Sequence, residues 1–507
     1  MRTILVIWDT LNRSALGCYG GTAVPTPNFD RFAQRAQCFD NHYVGSLPCM
    51  PARRDLHTGR MNFMHRSWGP LEPFDNSLPA LLGNAGVYSH LVTDHFHYFE
   101  DGGANYHTRY TTWELIRGQE YDSWKPSVQP DLERYKATFS DKNYNAADER
   151  NRLQHQINRD DIQEEADHPG PRCISAALDF LDRNRAADNW FLQLECFDPH
   201  EPFFAPDRYK AALPESGYNG PVLDWPRYGP ADYTPQEIAE LRRNYHALAA
   251  MCDAHFGRLL DDLDAHDMWR DTAVIVTTDH GFLLGEHDWW GKNTPPYYEE
   301  ISHIPLMVHL PDRPELAGQR SRRLTQTHDL MPTILDLHSV AVPPEVRGQS
   351  LLSKSGADPN SIAVFGQFGG PIGASDGRHA FFLYPKIRSD DGLFEYTLMP
   401  SHLKDPFDTH ALAQASLAGP FDFTKSATVL RVPAEPGQLK RPPGKARKQM
   451  DAFDTALYDL IADPGQLRPI EDRVVQDRFV AGIISALTAH DAPEELYQRF
   501  GLSRELA

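Results

Sequence analysis

The stretch "MRTILVIWDT", residues 1–10, runs six apolar or β-branched side chains up to an aspartate and a threonine. "TILVIW" (3–8) reads as a β-strand, and three later runs share its character: "VYSHLVT" (87–93), "WFLQLECF" (190–197) and "TAVIVTTD" (272–279). Helical patterns lie between them, in "NFDRFAQRA" (28–36), "SLPALLGNAG" (77–86), "CISAALDFLDRNR" (173–185) and residues 238–266. Alternating strand and helix predicts an α/β fold with a large, mostly parallel central sheet flanked by helices. Sheets of this kind place their sites in loops beyond the carboxyl ends of the strands. Asp9 ends the first strand, Asp94 to His97 follow the second, Asp198 to His200 the third, and Asp279 and His280 the fourth.

At 507 residues the chain is too long for one compact core and should divide into about two or three units. No apolar run approaches the roughly 20 residues of a bilayer span, so no membrane partner is expected. A formal net charge of −20 opposes nucleic acid as a partner. The basic stretch "KRPPGKARK" (440–448) is broken by Pro and Gly and reads as a solvated loop. Six cysteines stand singly with no C-x-x-C pair, which suggests neither a disulfide framework nor a zinc knuckle. Five read as buried structural thiols, and Cys49 is the exception. The N-terminal strand pattern carries no apolar signal region, so a cytoplasmic setting is expected.

Residues 101–170 are polar, aromatic and rich in Asp, Asn and Arg, and read as an insertion with little core of its own. "PESGYNGPVLDWPRYGPADYTP" (214–235) reads as a second loop excursion. After about residue 360 come short apolar runs separated by turns, "IAVFGQF", "HAFFLYP", "FEYTLM" and "TALYDLI", then a helix near 473–489. They predict a smaller antiparallel sheet plus helix over 361–507, beside a main α/β domain over 1–360.

The loop "VGSLPCMPARRDLHTGR" (44–60) sets a cysteine four residues before an arginine, stiffens the bend with two prolines and closes on Thr-Gly. "CMPARRDLHTG" resembles the sulfatase signature C-x-P-[SA]-R-x-x-x-[LM]-T-G, departing only at His57. Further segments follow in the order that family uses: "WDTLNRSALGCYGG" (8–21), "TPNFDRFAQRA" (26–36), "FDPHEPF" (197–203), "TTDHGFLLGEHDWWGK" (277–292), "YYEEISHIPLMVHLP" (297–311), "DLMPTILDL" (329–337) and "LYDLIADPGQ" (457–466). The resemblance therefore covers nearly the whole chain. It implies an alkaline phosphatase-like fold, with 1–360 as the catalytic part, and oxidation of Cys49 to formylglycine by a maturation enzyme that reads Pro51 and Arg53.

Hydrolysis of a sulfate monoester needs a cation to neutralise charge, an in-line nucleophile and a proton donor for the leaving oxygen. Asp9, Asp279 and His280, with residue 49, form a donor set suited to one divalent ion. Alone, a strand-end Asp is more often a turn or N-cap residue, but three such residues at matching strand ends, two of them adjacent, favour a metal. The resemblance further implies that the aldehyde hydrates to a geminal diol, one hydroxyl of which is the nucleophile while the second lets the intermediate collapse. Arg53 would support the deprotonated diol, His97 would take the hydroxyl proton, and His95 stands where the family usually has Lys. His200 and Lys292 match positions that serve the ester's bridging oxygen. Glu286 and His287 read as loop scaffolding, and Arg54 has no assigned role.

Two features depart from many sulfatases: Asp9 is followed by Thr10 rather than a second Asp, and His280 replaces Asn. Both look more like the related phosphonate monoester hydrolases. Loss of a carboxylate and gain of an imidazole weaken preference for Ca2+ and admit Mn2+, with Zn2+ ranked behind. The expected function is arylsulfatase-type hydrolysis of small anionic sulfate esters. The alternatives are a phosphonate monoester or phosphodiester hydrolase on the same scaffold, and a non-catalytic metal-binding protein with unmodified Cys49. A homo-oligomer, dimer or tetramer, is expected.

Overall fold

A computed structural model describes residues 1–144, 150–292, 296–353, 361–434 and 451–504; the basic 440–448 stretch lies outside them. The central sheet is built from β1 (Arg2–Trp8), β2 (Gln37–Tyr43), β3 (Tyr88–Thr93), β4 (Thr112–Leu115), β5 (Trp190–Cys196), β6 (Thr272–Thr277), β7 (Leu306–His309) and β8 (Arg320–Gln326). Their order is β8-β2-β7-β6-β1-β5-β3-β4. Strands β6, β1, β5, β3 and β4 pair in parallel, and β7 alone runs against its neighbours. The anticipated mostly parallel α/β sheet is therefore present. β1 and β5 lie at its centre in register from Arg2↔Trp190 to Trp8↔Cys196, which brings Asp9 and Phe197 level at the same edge.

Helices cover both faces because those faces are apolar. On one side Trp8, Phe29 and Phe256 interlock, with ring centroids 5.0–6.4 Å apart. The helix Pro235–Ala265 supplies Phe256 and starts at a capping box, where Thr234 accepts from Glu237 N and Glu237 from Thr234 N. The helix Pro169–Arg183 adds Cys173, Ile174, Ala177 and Leu181 to this core. On the other side Met50, Leu82, Leu91 and Ile334 fill the core beneath β1 and β6. Among the described residues no helix is long and apolar enough to cross a membrane.

Two expectations are corrected. The 101–170 insertion has a core: Tyr135, Phe139, Tyr144 and Ile157 pack with Trp225, so this insertion and the 214–235 excursion form one unit. Its strand β4 also extends the central sheet. The C-terminal part holds two antiparallel sheets rather than one. Ala363–Gly366, Ile372–Ser375, His379–Leu383 and Ala456–Asp459 form the first, covered by Phe479, Ile483 and Leu487 of the helix Arg473–Ala489. Phe394–Thr397, Val429–Pro433 and Ser416–Ala418 form the second, because "FEYTLM" pairs with Val429–Pro433 instead.

The second small sheet is tied to the segment after the Cys49 helix by buried charge. Arg66 pairs with Glu395, which also accepts from Ser67 Oγ at 2.8 Å and lies 2.9 Å from His402 Nε2. Glu72 accepts from Thr397 Oγ1 and Leu398 N at 2.5 and 2.8 Å. Burial opposes ionisation of Glu395, but Arg66, His402 and Ser67 outweigh it and hold the carboxyl at about 2. A depressed carboxyl contributes stability above its unfolded value and loses it as pH falls through the folded one, here from 4.5 to about 2. Glu395→Gln should destabilise the fold by about 3 kcal/mol at neutral pH, because it removes the nearer of Arg66's two buried carboxylate partners and leaves only Glu72, at 3.5 Å. In denaturant titrations the gap from wild type should shrink on acidification across that window; an equal gap at pH 7 and near pH 2 would refute the pairing's weight.

Candidate active site

Cys49 is the first residue of the helix Cys49–Thr58, at the end where the backbone dipole favours negative charge. Asp55, six residues on, accepts from Ser46 N and Oγ at 2.5 and 2.8 Å and from Asn62 N and Nδ2 at 2.9 and 3.0 Å. It thereby clamps the loop entering the helix to the one leaving it. Gly59 ends the helix at φ 65°, where a Cβ would lie 2.7 Å from Val346 Cγ1, so the closing Thr-Gly is a helix stop only glycine fits. His57 stands where the signature has an aliphatic residue, and its Nδ1 lies 3.2 Å from Ser77 Oγ. It is buried against Tyr106 and Tyr110, and burial with Arg109 nearby lowers its pKa to about 3, so it is neutral.

One helical turn after Cys49, Arg53 is 1% exposed. Its guanidinium donates to the Cys49 carbonyl at 2.9 Å, Asp9 Oδ2 at 2.8 Å, Asp279 Oδ2 at 2.5 Å and Glu195 Oε1 at 2.6 Å. A single planar cation thus joins the ends of β1, β5 and β6 to the helix that begins at Cys49. The other oxygen of Glu195 accepts from Tyr98 Oη and Gln193 Nε2, both at 2.9 Å. Burial opposes ionisation of Asp9, yet Arg53, Lys292 and His95 overcome it and hold the carboxyl well below the usual range.

Asp9, Cys49, Asp279 and His280 are all buried, and each offers a ligand atom within 4.8 Å of the others. His280 Nδ1 lies 3.0 Å from the Gly281 carbonyl, which only accepts, so the Nε2 lone pair faces Cys49 Sγ at 3.1 Å. Burial lowers the pKa of His280 and favours its neutral form, while burial and Asp9 push the Cys49 thiol well up. Three carboxylates (Asp9, Glu195, Asp279) meet two permanent cations (Arg53, Lys292), which leaves negative charge for a metal to neutralise. The donor set of two carboxylates, one imidazole and residue 49 fits a divalent ion.

Thr10 has φ 64°, rare for a β-branched residue. Its hydroxyl donates to Asp9 Oδ1 at 2.6 Å and accepts from Lys292 Nζ at 3.0 Å. Its N–H donates to Asp279 Oδ1 at 3.1 Å, and its carbonyl accepts from Tyr245 Oη at 2.9 Å. The strain, about 1–3 kcal/mol, is held by these bonds and aims the hydroxyl between the lysine and Asp9.

The remaining anticipated residues converge on the same edge. His95 is fully buried, its Nε2 3.4 Å from Asp9 Oδ2, and burial with Arg53 lowers its pKa. His97 Nδ1 lies 2.7 Å from Glu100 Oε2. His200 Nδ1 donates to the Glu201 carbonyl at 2.5 Å, and burial with Lys292 holds its pKa well below the usual value. In that neutral tautomer Nε2 can only accept, so Lys292 is the charged donor of the pair. Lys292 Nζ lies 3.9 Å from Asp9 Oδ1 and 3.8 Å from Glu201 Oε2; burial acts to discharge it, but Cys49, Glu201 and Asp9 raise its pKa above the ordinary lysine value. Arg54 pairs with Asp75 at 2.8 Å, Glu286 accepts from Leu284 N at 2.5 Å, and His287 stacks on Tyr298 at 3.6 Å, all outside this cluster.

Sequence reasoning missed Glu195, Gln119, Glu201 and Tyr228. Gln119, from the insertion, donates to Asp94 Oδ2 at 3.0 Å and Asp198 Oδ1 at 2.9 Å, joining the loops that carry His95, His97 and His200. Tyr228, from the second excursion, donates to Glu201 Oε1. The available signal was polarity inside "WFLQLECF", whose Gln193 and Glu195 interrupt a strand buried along its whole length.

The sulfatase family pattern matches residues 2–340. The arylsulfatase of Clostridium perfringens is 23% identical over 376 residues, covering 69% of this chain and 77% of its own. A multifunctional alkaline phosphatase superfamily protein, PehA of Trinickia caryophylli, is 26% identical over 377 residues, 64% of this chain and 70% of its own. The crystal structure of the phosphonate monoester hydrolase of Agrobacterium radiobacter superposes with a TM-score of 0.64 at 17% identity, over 96% of both chains, a likeness of fold. With two thirds of its length matched by that pattern, from the first strand past the Asp279–His280 loop, the chain belongs to the sulfatase family.

Proposed function

We propose that this chain hydrolyses small sulfate esters of the aryl type, using formylglycine derived from Cys49 and one divalent ion. The observation that carries the reading is the placement of Cys49 on a helix N-terminus, with Arg53 beneath it and Asp9, Asp279 and His280 beside it. Formylglycine would supply a hydrated aldehyde as the oxygen nucleophile, and the ion held by Asp9, Asp279, His280 and residue 49 would supply Lewis acidity. A maturation enzyme acting on Cys49 is part of the proposal, as are a homo-oligomer and a cytoplasmic setting.

The chain's own groups have separable tasks. Arg53 keeps Asp9 ionised, holds both Asp9 and Asp279 in place, and its charge favours an oxyanion at residue 49. His95, neutral, donates one ring N–H toward a substrate oxygen near Asp9. Lys292 donates its proton to the leaving alcohol oxygen, with neutral His200 accepting from the same region. His97 takes up the proton released at residue 49. Ca2+ or Mn2+ is the proposed ion ahead of Zn2+, because the set offers two carboxylates and one imidazole with no settled thiolate. A cleft of about 630 Å³, lined by Phe96, Phe99, Glu100, Tyr121 and Lys404 among others, flanks the turn that carries His97.

A second reading, phosphonate monoester or phosphodiester hydrolysis, is favoured by Asp9-Thr10 and Asp279-His280. Matched sulfate and phosphonate esters of one phenol decide between them: the proposal expects the higher kcat/KM for the sulfate, and a phosphonate preference of orders of magnitude would overturn it. A third, non-catalytic metal-binding reading expects no turnover of either ester. The acid role is tested with Lys292→Ala across phenyl sulfates of graded leaving-group pKa. Loss should be about 10²–10⁴-fold for poor leaving groups and should shrink for nitrophenol; a uniform loss would contradict proton donation by Lys292.

A further inference from the structure

We infer that Glu100, backed by Lys404, is a positioning residue for His97, an inference that rests on the hydrolase reading above. Glu100 follows the helical turn Phe96–Phe99, and its Oε2 lies 2.7 Å from His97 Nδ1. A carboxylate only accepts at that distance, so the proton sits on Nδ1 and the lone pair on Nε2. The pair is no ordinary surface contact three residues apart, since the His97 side chain is 5% exposed and that of Glu100 19%.

The ring is fenced as well as tethered. Trp68 meets it edge-on at 5.4 Å, Tyr121 of the insertion at 6.1 Å, and His95 is 5.2 Å away. The other carboxylate oxygen of Glu100 lies 3.7 Å from Lys404 Nζ, which also contacts the Tyr121 hydroxyl. One oxygen thus serves the histidine and the other a lysine from the C-terminal part of the chain. Lys404 sets a positive charge beside Glu100, and Glu100 holds the tautomer and offsets the imidazolium formed when Nε2 takes a proton from a hydroxyl borne by residue 49. The Nδ1 proton stays on the ring throughout, and the one gained at Nε2 leaves to water. Carboxylate partners of this sort act on histidine orientation and basicity without touching substrate.

The test uses full-length protein with conversion of Cys49 checked by mass, comparing wild type, Glu100→Ala and Glu100→Gln. Side-chain ¹⁵N spectra of histidine-labelled protein, with His97 assigned by loss of its signal in His97→Asn, report the tautomer independently of turnover. Expected are an Nδ1–H His97 in wild type, a mixed tautomer in Glu100→Ala, and a fall in kcat of about 10–100-fold with KM nearly unchanged. Glu100→Gln keeps an acceptor at the same reach and should restore the tautomer and part of kcat; if the alanine variant fails to fold, the tautomer of wild-type His97 itself carries the test. An Nε2–H His97 in wild type, or a tautomer and kcat unmoved in Glu100→Ala, overturns the inference. An unconverted Cys49 with no ester turnover defeats the hydrolase reading instead, while the spectra still decide what Glu100 does to His97.

Discussion

The site depends on one buried guanidinium. Arg53 reaches Asp9, Glu195 and Asp279 at 2.8, 2.6 and 2.5 Å, and those carboxylates stand at the ends of three adjacent parallel strands. Without that cation, negative charges would be pressed together in a region shielded from water, where mutual repulsion is strong and solvation is lost. With it, the strand ends converge and the helix carrying Cys49 is locked in register, since Arg53 also binds the Cys49 carbonyl. The signature's fixed spacing of cysteine and arginine is one helical turn, so that register is written into the covalent chain.

Around this centre the chain supplies groups whose protonation is set by burial. His200, His280 and His95 are all pushed toward the neutral form, while Lys292, ringed by acidic groups, stays charged. Neutral imidazoles can ligate a metal or accept a proton, and a permanently charged ammonium can give one to an alkoxide. The division of labour follows from where each side chain lies relative to the carboxylates rather than from residue type alone. Thr10 shows the same logic in backbone form, holding a strained conformation so that its hydroxyl spans Lys292 and Asp9.

Much of this was legible beforehand. Four apolar runs named the central strands, and the rule that sites follow strand ends pointed to Asp9, His95, His97, His200 and Asp279 without coordinates. What stayed hidden depends on contacts between distant segments. Glu195 is an acid inside an apolar strand, and only its partner Arg53, 142 residues earlier, explains it. The insertion read as having little core of its own because its aromatic residues are spread over a polar background and completed by Trp225 from another excursion. Glu100 and Lys404, from distant parts of the chain, gain meaning only once Tyr121 and His97 are seen between them. "FEYTLM" gave no hint that it pairs with a later strand instead of its apolar neighbours, because an antiparallel partner is chosen by tertiary register.

The claim on which the account turns is that this arrangement is built around a modified residue 49. The most direct measurement is the mass of the tryptic peptide spanning Ala36 to Arg53, from protein made in a host that matures such cysteines, with Cys38 in the same peptide as an internal control. The account predicts a loss of about 18 Da at position 49, an aldehyde in place of the thiol, with Cys38 still alkylated. A peptide carrying two alkylated cysteines would contradict it, leaving Arg53 and its carboxylates as the frame of a metal site without this nucleophile.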